Sequence, residues 1–258
     1  QIYHRFRDQG SAMKPAGGTR KVVFFLVLLA GMICTGTAEG QQPVARFFYD
    51  ENGNVARQER DTNGDGKMDR WLFFNREGKI DHVEQDENFD GKPDITLFYE
   101  EGRLKRQEVS TDRDGRVDVR YFYNTKGEIE HKEQDTDGDG KADLRVIYDG
   151  NQPLRREEDL DHDGRAERVV FFQGGEIARI EEDVDGEGGI DAWSYFEGED
   201  LIRKEVDKDH NGKADVVGHY RGGELQRQEE DLGGDGRMDR ILIFTNGELL
   251  RREESSRR

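Results

Sequence analysis

Beyond residue 40, apolar residues in this chain arrive in short bursts that never reach the length of a helix. The bursts are aromatic and β-branched: RWLFF (70–74), ITLFY (95–99), VRYFY (119–123), LRVIY (144–148), RVVFF (168–172), AWSYF (192–196), VVGHY (216–220) and RILIF (240–244). Five residues of this kind, bounded by Gly, Asn and Asp, predict strands. A Gly-bearing turn follows each burst. After it comes a second segment of the form apolar-x-Arg/His-x-Glu-x-Asp. The pattern is strand–turn–strand, repeated.

Turn length sets register, so the pairing can be derived. Gly174-Gly175, Gly222-Gly223 and Asn246-Gly247 are two-residue turns, whereas Arg76-Glu77-Gly78 and Thr125-Lys126-Gly127 are three-residue loops. Counting outward places Phe172 opposite Ile177, Phe74 opposite Ile80, Tyr99 opposite Leu104, Tyr123 opposite Ile129, and Phe196 opposite Leu201. The same count pairs Tyr220 with Leu225, Phe244 with Leu249, and Tyr49 with Val55, while Tyr148 meets Pro153 in an irregular unit. An aromatic then faces an aliphatic residue beside every other turn. Further along each second strand runs a basic column (Arg57, His82, Arg106, His131, Arg155, Arg179, Arg203, Arg227, Arg251). An acidic column from Glu59 to Glu253 follows two residues later. Strict alternation predicts both columns as ion-pair ladders on the face of the aromatic stripe.

Between hairpins the chain writes one acidic phrase eight times, at spacings of 24 or 25 residues, beginning at Asp61, Asp86, Ser110, Asp135, Asp159, Asp183, Asp207 and Asp231. Oxygen-bearing side chains recur at positions 1, 3, 5 and 9, and Gly stands at position 6. The candidate ligands are Asp61, Asn63, Asp65 and Asp69; Asp86, Asn88, Asp90 and Asp94; Ser110, Asp112, Asp114 and Asp118; Asp135, Asp137, Asp139 and Asp143. They continue as Asp159, Asp161, Asp163 and Glu167; Asp183, Asp185, Glu187 and Asp191; Asp207, Asp209, Asn211 and Asp215; Asp231, Asp235 and Asp239, where Gly233 leaves position 3 of the last loop without a side chain. A cation that takes six to eight oxygens, Ca²⁺, fits such a set. A helix–loop–helix EF-hand does not, because its bidentate Glu belongs at position 12. Position 12 here is Leu72, Leu97, Tyr121, Val146, Val170, Ser194, Gly218 or Leu242. The second, fourth and fifth loops have the fullest donor sets. Ser110, Gly233, Asn211, Glu167 and Glu187 mark departures.

These loops resemble the DxDxDG calcium loops of thrombospondin type 3 repeats, dockerins and integrin-type propellers, and the hairpins resemble MORN-type strand repeats more loosely. The resemblance implies side-chain oxygens from positions 1, 3 and 5, the backbone carbonyl of position 7 (Lys67, Lys141), and a carboxylate from position 9 in place of the missing Glu.

The expected fold is all-β: tandem 24-residue strand–turn–strand repeats joined by calcium loops, forming an elongated antiparallel meander or solenoid. A closed propeller or barrel is the alternative. Composition changes this picture in one respect. Only 32% of residues are apolar, 38% are charged and the net charge is −18. Such a chain would ordinarily be disordered. Repeats that bury surface against their neighbours, and metal that contributes folding free energy, supply what the core lacks. The acidic balance excludes nucleic acid and an anionic membrane surface as partners.

Residues 1–40 are expected to be an upstream extension and signal peptide, with Met13 as the start, and residues 41–258 a single array of eight calcium-loop units. Lys14, Arg20 and Lys21 precede a 12-residue apolar run, Val22–Ile33, and small residues follow. That run is short for a bilayer span, which needs about 20 residues. The mature chain is therefore expected to be secreted, extracellular or periplasmic, with an outer-surface lipoprotein through Cys34 as the variant. The functional expectation is a non-enzymatic scaffold that Ca²⁺ rigidifies for surface display or adhesion, with cell-surface polysaccharide or protein as partner. The alternative is a carbohydrate-binding module using Trp71 and Trp193. A metal-dependent hydrolase would require one specialised loop, and the copies instead decay gradually. His82 and His131 take the place of Arg in the basic column and are expected to stack. His162 and His210, at position 4 of their loops, are expected to face solvent.

Overall fold

The computed structural model describes residues 44–254, and the expectations for residues 1–40 lie outside them. Among the described residues the chain is all-β, with no helix. The strands are β1 (Ala45–Tyr49), β2 (Val55–Arg60), β3 (Arg70–Phe74), β4 (Ile80–Gln85), β5 (Ile95–Glu100) and β6 (Arg103–Val109). They continue as β7 (Val119–Tyr123), β8 (Ile129–Gln134), β9 (Leu144–Asp149), β10 (Gln152–Glu158), β11 (Arg168–Gln173) and β12 (Glu176–Glu182). The last six are β13 (Ala192–Glu197), β14 (Asp200–Val206), β15 (Val216–Arg221), β16 (Glu224–Glu230), β17 (Arg240–Thr245) and β18 (Glu248–Glu254).

Every strand pairs antiparallel with its neighbours in sequence, so the array is one meander. The sheet is open and unclosed, so the propeller or barrel is not adopted. Contacts between elements run only from each strand to the next, so cohesion comes from nearest neighbours, as in repeat proteins generally.

The derived pairs are all present: Tyr49 with Val55, Phe74 with Ile80, Tyr99 with Leu104, Tyr123 with Ile129, Tyr148 with Pro153, Phe172 with Ile177, Phe196 with Leu201, Tyr220 with Leu225 and Phe244 with Leu249. Their turns have the backbone that these lengths demand. Gly174 and Gly175 have φ of 63° and 88°, and Asn246 and Gly247 of 50° and 78°, the left-handed pair of a two-residue hairpin. In the longer turns Asn75 Oδ1 accepts from the backbone N–H of Glu77 and of Lys79, both at 3.0 Å.

Directly after the aromatic–aliphatic pair, every hairpin carries a register shift that alternation does not foresee. In β3/β4 the pairing passes from Phe74–Ile80 to Phe73–His82, leaving Asp81 as the extra residue. This β-bulge moves the basic and acidic columns to the face opposite the aromatic–aliphatic stripe, correcting the expectation that they share it. On the stripe side Leu72, Val83 and Leu97 form a buried cluster, with Phe74, Ile80, Ile95, Tyr99 and Leu104 packed against it. On the other side the basic residues stack on aromatics. Arg57 lies 4.2 Å from the Phe48 ring centroid, Arg106 4.1 Å from that of Phe98 and Arg179 4.3 Å from that of Phe171. His82 and His131 stack on Phe73 and Phe122 at 4.1 and 4.2 Å, as expected of them. The ladders pair along each strand: Arg57 with Glu59 at 2.9 Å, Arg155 with Glu157 at 2.9 Å, Arg179 with Glu181 at 3.0 Å and Arg227 with Glu229 at 3.2 Å.

Candidate metal-binding loops

Each acidic phrase joins one hairpin to the next, and the sheet ladder holds it at both ends. In the first loop the Asp69 N–H donates to the Arg60 carbonyl, which closes the loop, and the Asp86 N–H of the second loop donates to the Asp69 carbonyl, both at 2.9 Å. The same inter-loop bond recurs down the array, for example Asp159 to Asp143 and Asp231 to Asp215, both at 2.8 Å. The loops therefore follow one another along one edge of the sheet.

Within a loop the side chains wrap the backbone in a fixed order. Position 1 caps the turn: Asp61 Oδ1 accepts from the N–H of Gly64 at 2.6 Å and Oδ2 from that of Gly66 at 2.9 Å. Position 9 closes it, as Asp69 Oδ2 accepts from the N–H of Thr62 at 2.8 Å and of Asn63 at 3.2 Å. Positions 3 and 5 each accept from the N–H two residues on: Asn63 from Asp65 at 2.9 Å, and Asp65 from Lys67 at 2.7 Å. The fourth loop repeats this, with Asp135 accepting from Gly138 and Gly140, both at 2.7 Å, Asp137 from Asp139 at 2.9 Å and Asp139 from Lys141 at 2.7 Å. Where Ser110 replaces Asp, its hydroxyl still accepts from the N–H of Gly115 at 3.2 Å.

Such tight wrapping needs two left-handed residues per loop. Gly at position 6 supplies one in all eight, Gly140 at φ 93° being typical. The other is position 4, which composition does not disclose. It is Gly in four loops, but Phe89, Arg113, His162 and His210 take it in the others at φ of 62°, 65°, 63° and 59°.

The result is a cup. Its floor is position 1 with position 9: Asp61, Asp69, Asp86, Asp94, Asp135, Asp143, Asp191, Asp207, Asp215 and Asp231 are all buried. Its rim is positions 3 and 5, mostly exposed. Carboxylate oxygens converge in three loops, within 4.8 Å of one another: Asp135, Asp137 and Asp139; Asp159, Asp161, Asp163 and Glu167; and Asp207, Asp209 and Asp215. Glu167, marked by sequence as a departure, joins its group. The first, second, third, sixth and eighth loops keep the wrap without such a three-carboxylate group. Several floor oxygens are buried with nothing to bond. Asp69 Oδ1, Asp159 Oδ1 and Asp207 Oδ1 are inaccessible to solvent and have no hydrogen-bond partner. These acidic groups could hold a metal ion.

His162 and His210 are exposed, as expected, yet neither ring is free. Each reaches back into the preceding loop. His162 Nδ1 lies 3.0 Å from Asp143 Oδ1 and 3.5 Å from Asp137 Oδ2. His210 Nε2 lies 3.1 Å from Asp185 Oδ2. Bonds from the Thr136 hydroxyl and from His162 hold the Asp143 carboxyl down at about 2, and Asp143 in turn raises the His162 imidazole above its ordinary value. The signal available in the sequence was that His at position 4 follows, one repeat later, a loop with a carboxylate at both positions 3 and 9. Trp71 is half-buried and pairs with Glu59 and Glu84 on the charged face, and Trp193 is placed equivalently beside Glu181 and Glu205.

No family model and no curated protein matches the chain. Among solved structures it is similar to part of a crystal structure of accessory secretory protein 1, 2 and 3 in Streptococcus pneumoniae, at 17% identity and a TM-score of 0.22, over 47% of this chain and 20% of that one. It is also similar to part of a TcdB2-TccC3-Cdc42 structure at 13% identity and a TM-score of 0.24, over 79% of this chain. The chain spans 20% and 14% of those two chains, and likenesses of this size carry no weight for function.

Proposed function

We propose that this is a secreted calcium-binding repeat protein in which Ca²⁺ stiffens a one-dimensional β scaffold for surface display or adhesion. The observation that carries the proposal is the buried and unpartnered oxygen at the loop floor, seen at Asp69, Asp159 and Asp207. A buried carboxylate oxygen without a donor costs about 1–3 kcal/mol or more, and a cation removes that cost. The donors that converge in the fourth, fifth and seventh loops are oxygens of the kind Ca²⁺ takes, and Ca²⁺ accepts irregular geometry at 2.3–2.6 Å. The recurring DxDxDG-type pattern and the leader expected before residue 41 point the same way. Outside the cytosol, calcium is abundant enough to fill sites with Kd of about 10⁻⁴–10⁻³ M. Repetition of one loop down the array supports a structural part for the ion.

The test is calorimetric titration of metal-stripped protein with Ca²⁺, followed by circular dichroism. The expected result is about six to eight equivalents and a gain of strand signal. A stoichiometry near zero with an unchanged spectrum refutes the proposal.

A further inference from the structure

We propose that the fourth and sixth loops are mixed nitrogen–oxygen sites for a divalent transition metal of the zinc class, completed by His162 and His210 from the following repeats. The inference deepens the metal-loop reading above and shares four carboxylates with it, but its distinguishing ligands are the two imidazoles.

The geometry is built twice. Asp137, Asp143 and His162 bring one ligand atom each to within 4.8 Å of the others, and so do Asp185, Asp191 and His210. In both, positions 3 and 9 of one loop meet position 4 of the next. On a tetrahedral ion with bonds of about 2.0–2.2 Å, ligand atoms stand roughly 3.3–3.6 Å apart. His162 Nδ1 already lies 3.0 and 3.5 Å from its two carboxylates, and His210 Nε2 3.1 Å from Asp185. The His162 distances already match that spacing to within tenths of an ångström, whereas Asp191, within 4.8 Å of His210, would close in further on an ion.

The buried carboxylates are held for the task. Asp143 and Asp191 are 8% and 4% exposed. Asp143 Oδ2 accepts from the N–H and hydroxyl of Thr136 at 2.6 and 2.5 Å, leaving Oδ1 to face His162. Asp191 Oδ2 accepts from the N–H of Val184 at 3.0 Å. Outer hydrogen bonds of this kind fix first-shell ligands in metal sites. Imidazole suits Zn²⁺, Co²⁺, Ni²⁺ and Cu²⁺, whereas Ca²⁺ takes oxygen. Three protein ligands and a water complete four-coordination. The backbone contributes as well, since the φ of 63° and 59° fixed at His162 and His210 is part of the loop wrap. An ion at either site ties two repeats together through their side chains.

The experiment titrates metal-stripped protein with Zn²⁺ by calorimetry and with Co²⁺ by visible absorption, for wild type, His162→Ala, His210→Ala, the double variant and the strand control His131→Ala. The expected outcome is two Zn²⁺ equivalents tighter than any others, one lost with each loop histidine and neither with His131→Ala. Tetrahedral Co²⁺ absorption should halve in each single loop variant. On the unsubstituted protein, Zn²⁺ should protect His162 and His210 from carbethoxylation while leaving His219 reactive, a readout that does not depend on a variant folding. Zn²⁺ binding that is unchanged in the double variant, or no His-dependent binding, overturns the inference and leaves an Asp–His ion pair only. Ca²⁺ titration of the same proteins separates the two readings. Calcium binding without His-dependent zinc sinks this inference alone, and the reverse sinks the calcium reading alone.

Discussion

Asp69→Asn separates a metal ligand from a turn cap, because the two oxygens of Asp69 do different things. Oδ2 accepts from the N–H of Thr62 and Asn63, whereas Oδ1 is buried and bonds to nothing. In metal-free protein the amide keeps the shape and weakens two charge-assisted bonds by about 1 kcal/mol each. It also exchanges a desolvated, unpartnered carboxylate oxygen for a neutral amide NH2, which costs less to bury unpaired than a charge does. The two effects oppose, so the expected change in EDTA is within about 1 kcal/mol of zero. With calcium the balance differs. A site held at a hundred times its Kd is stabilised by about 2.7 kcal/mol, which for Kd near 10⁻⁴ M means about 10 mM Ca²⁺. Losing that contribution in a domain of roughly 200 residues lowers Tm by about 5–11 °C. The assay is thermal melting of the strand signal in EDTA and in calcium, with Glu77→Gln in an exposed hairpin turn as control. Glu77 only pairs with Lys79 at 2.9 Å, so that control should move neither curve. An Asp69→Asn variant that melts lower by the same amount in both buffers refutes the reasoning and leaves Asp69 as a cap for the loop backbone.

Three further outcomes follow from the same geometry. Gly140→Ala meets no atom within 4 Å but forces a side chain to φ 93°, so denaturant unfolding should show a loss of about 1–2 kcal/mol without any change in packing signals. In metal-free protein the Asp143–His162 pair should give stability two pH limits. The contribution of Asp143, whose value falls from 3.8 to about 2 on folding, is complete above 3.8 and lost as pH drops through about 2; that of His162 is complete below 6.5 and lost as pH rises through its raised folded value. His162→Ala should abolish the upper limit and raise the Asp143 value in an NMR titration; an Asp143 titration that does not move would show that the imidazole is not its partner. Arg106→Ala removes an ion pair to Glu108 at 3.2 Å and a stack on Phe98, but Glu108 keeps Arg120 at 3.6 Å. The expected loss by thermal melting is about 0.5–1.5 kcal/mol.

What the sequence disclosed and what it hid divide along a physical line. Turn lengths fix the pairs next to each turn by counting, so Phe74–Ile80 and its equivalents were legible without coordinates. Oxygen spacing fixes which side chains wrap each loop, so the cup of Asp135, Asp137 and Asp139 was legible too. The bulge was not, because counting assumes that alternation continues past the first pair. A signal for it existed. Val83 lies three residues after Ile80, and Ile180 three after Ile177. An odd separation puts two apolar residues on opposite faces unless an extra residue intervenes. With Asp81 and Ala178 taken up by bulges, Val83 and Ile180 turn to the aliphatic stripe, where they are 2% and 7% exposed. The same shift carries His82 and Arg179 onto Phe73 and Phe171. Each face thus receives something to cover it, aliphatic side chains on one and guanidinium or imidazole planes on aromatics on the other. That explains how a chain with 32% apolar residues supports an open sheet whose strands touch only their neighbours. Cohesion of that kind is local, so the loop edge, where carboxylates are crowded most densely, is where a bound cation would change stiffness most.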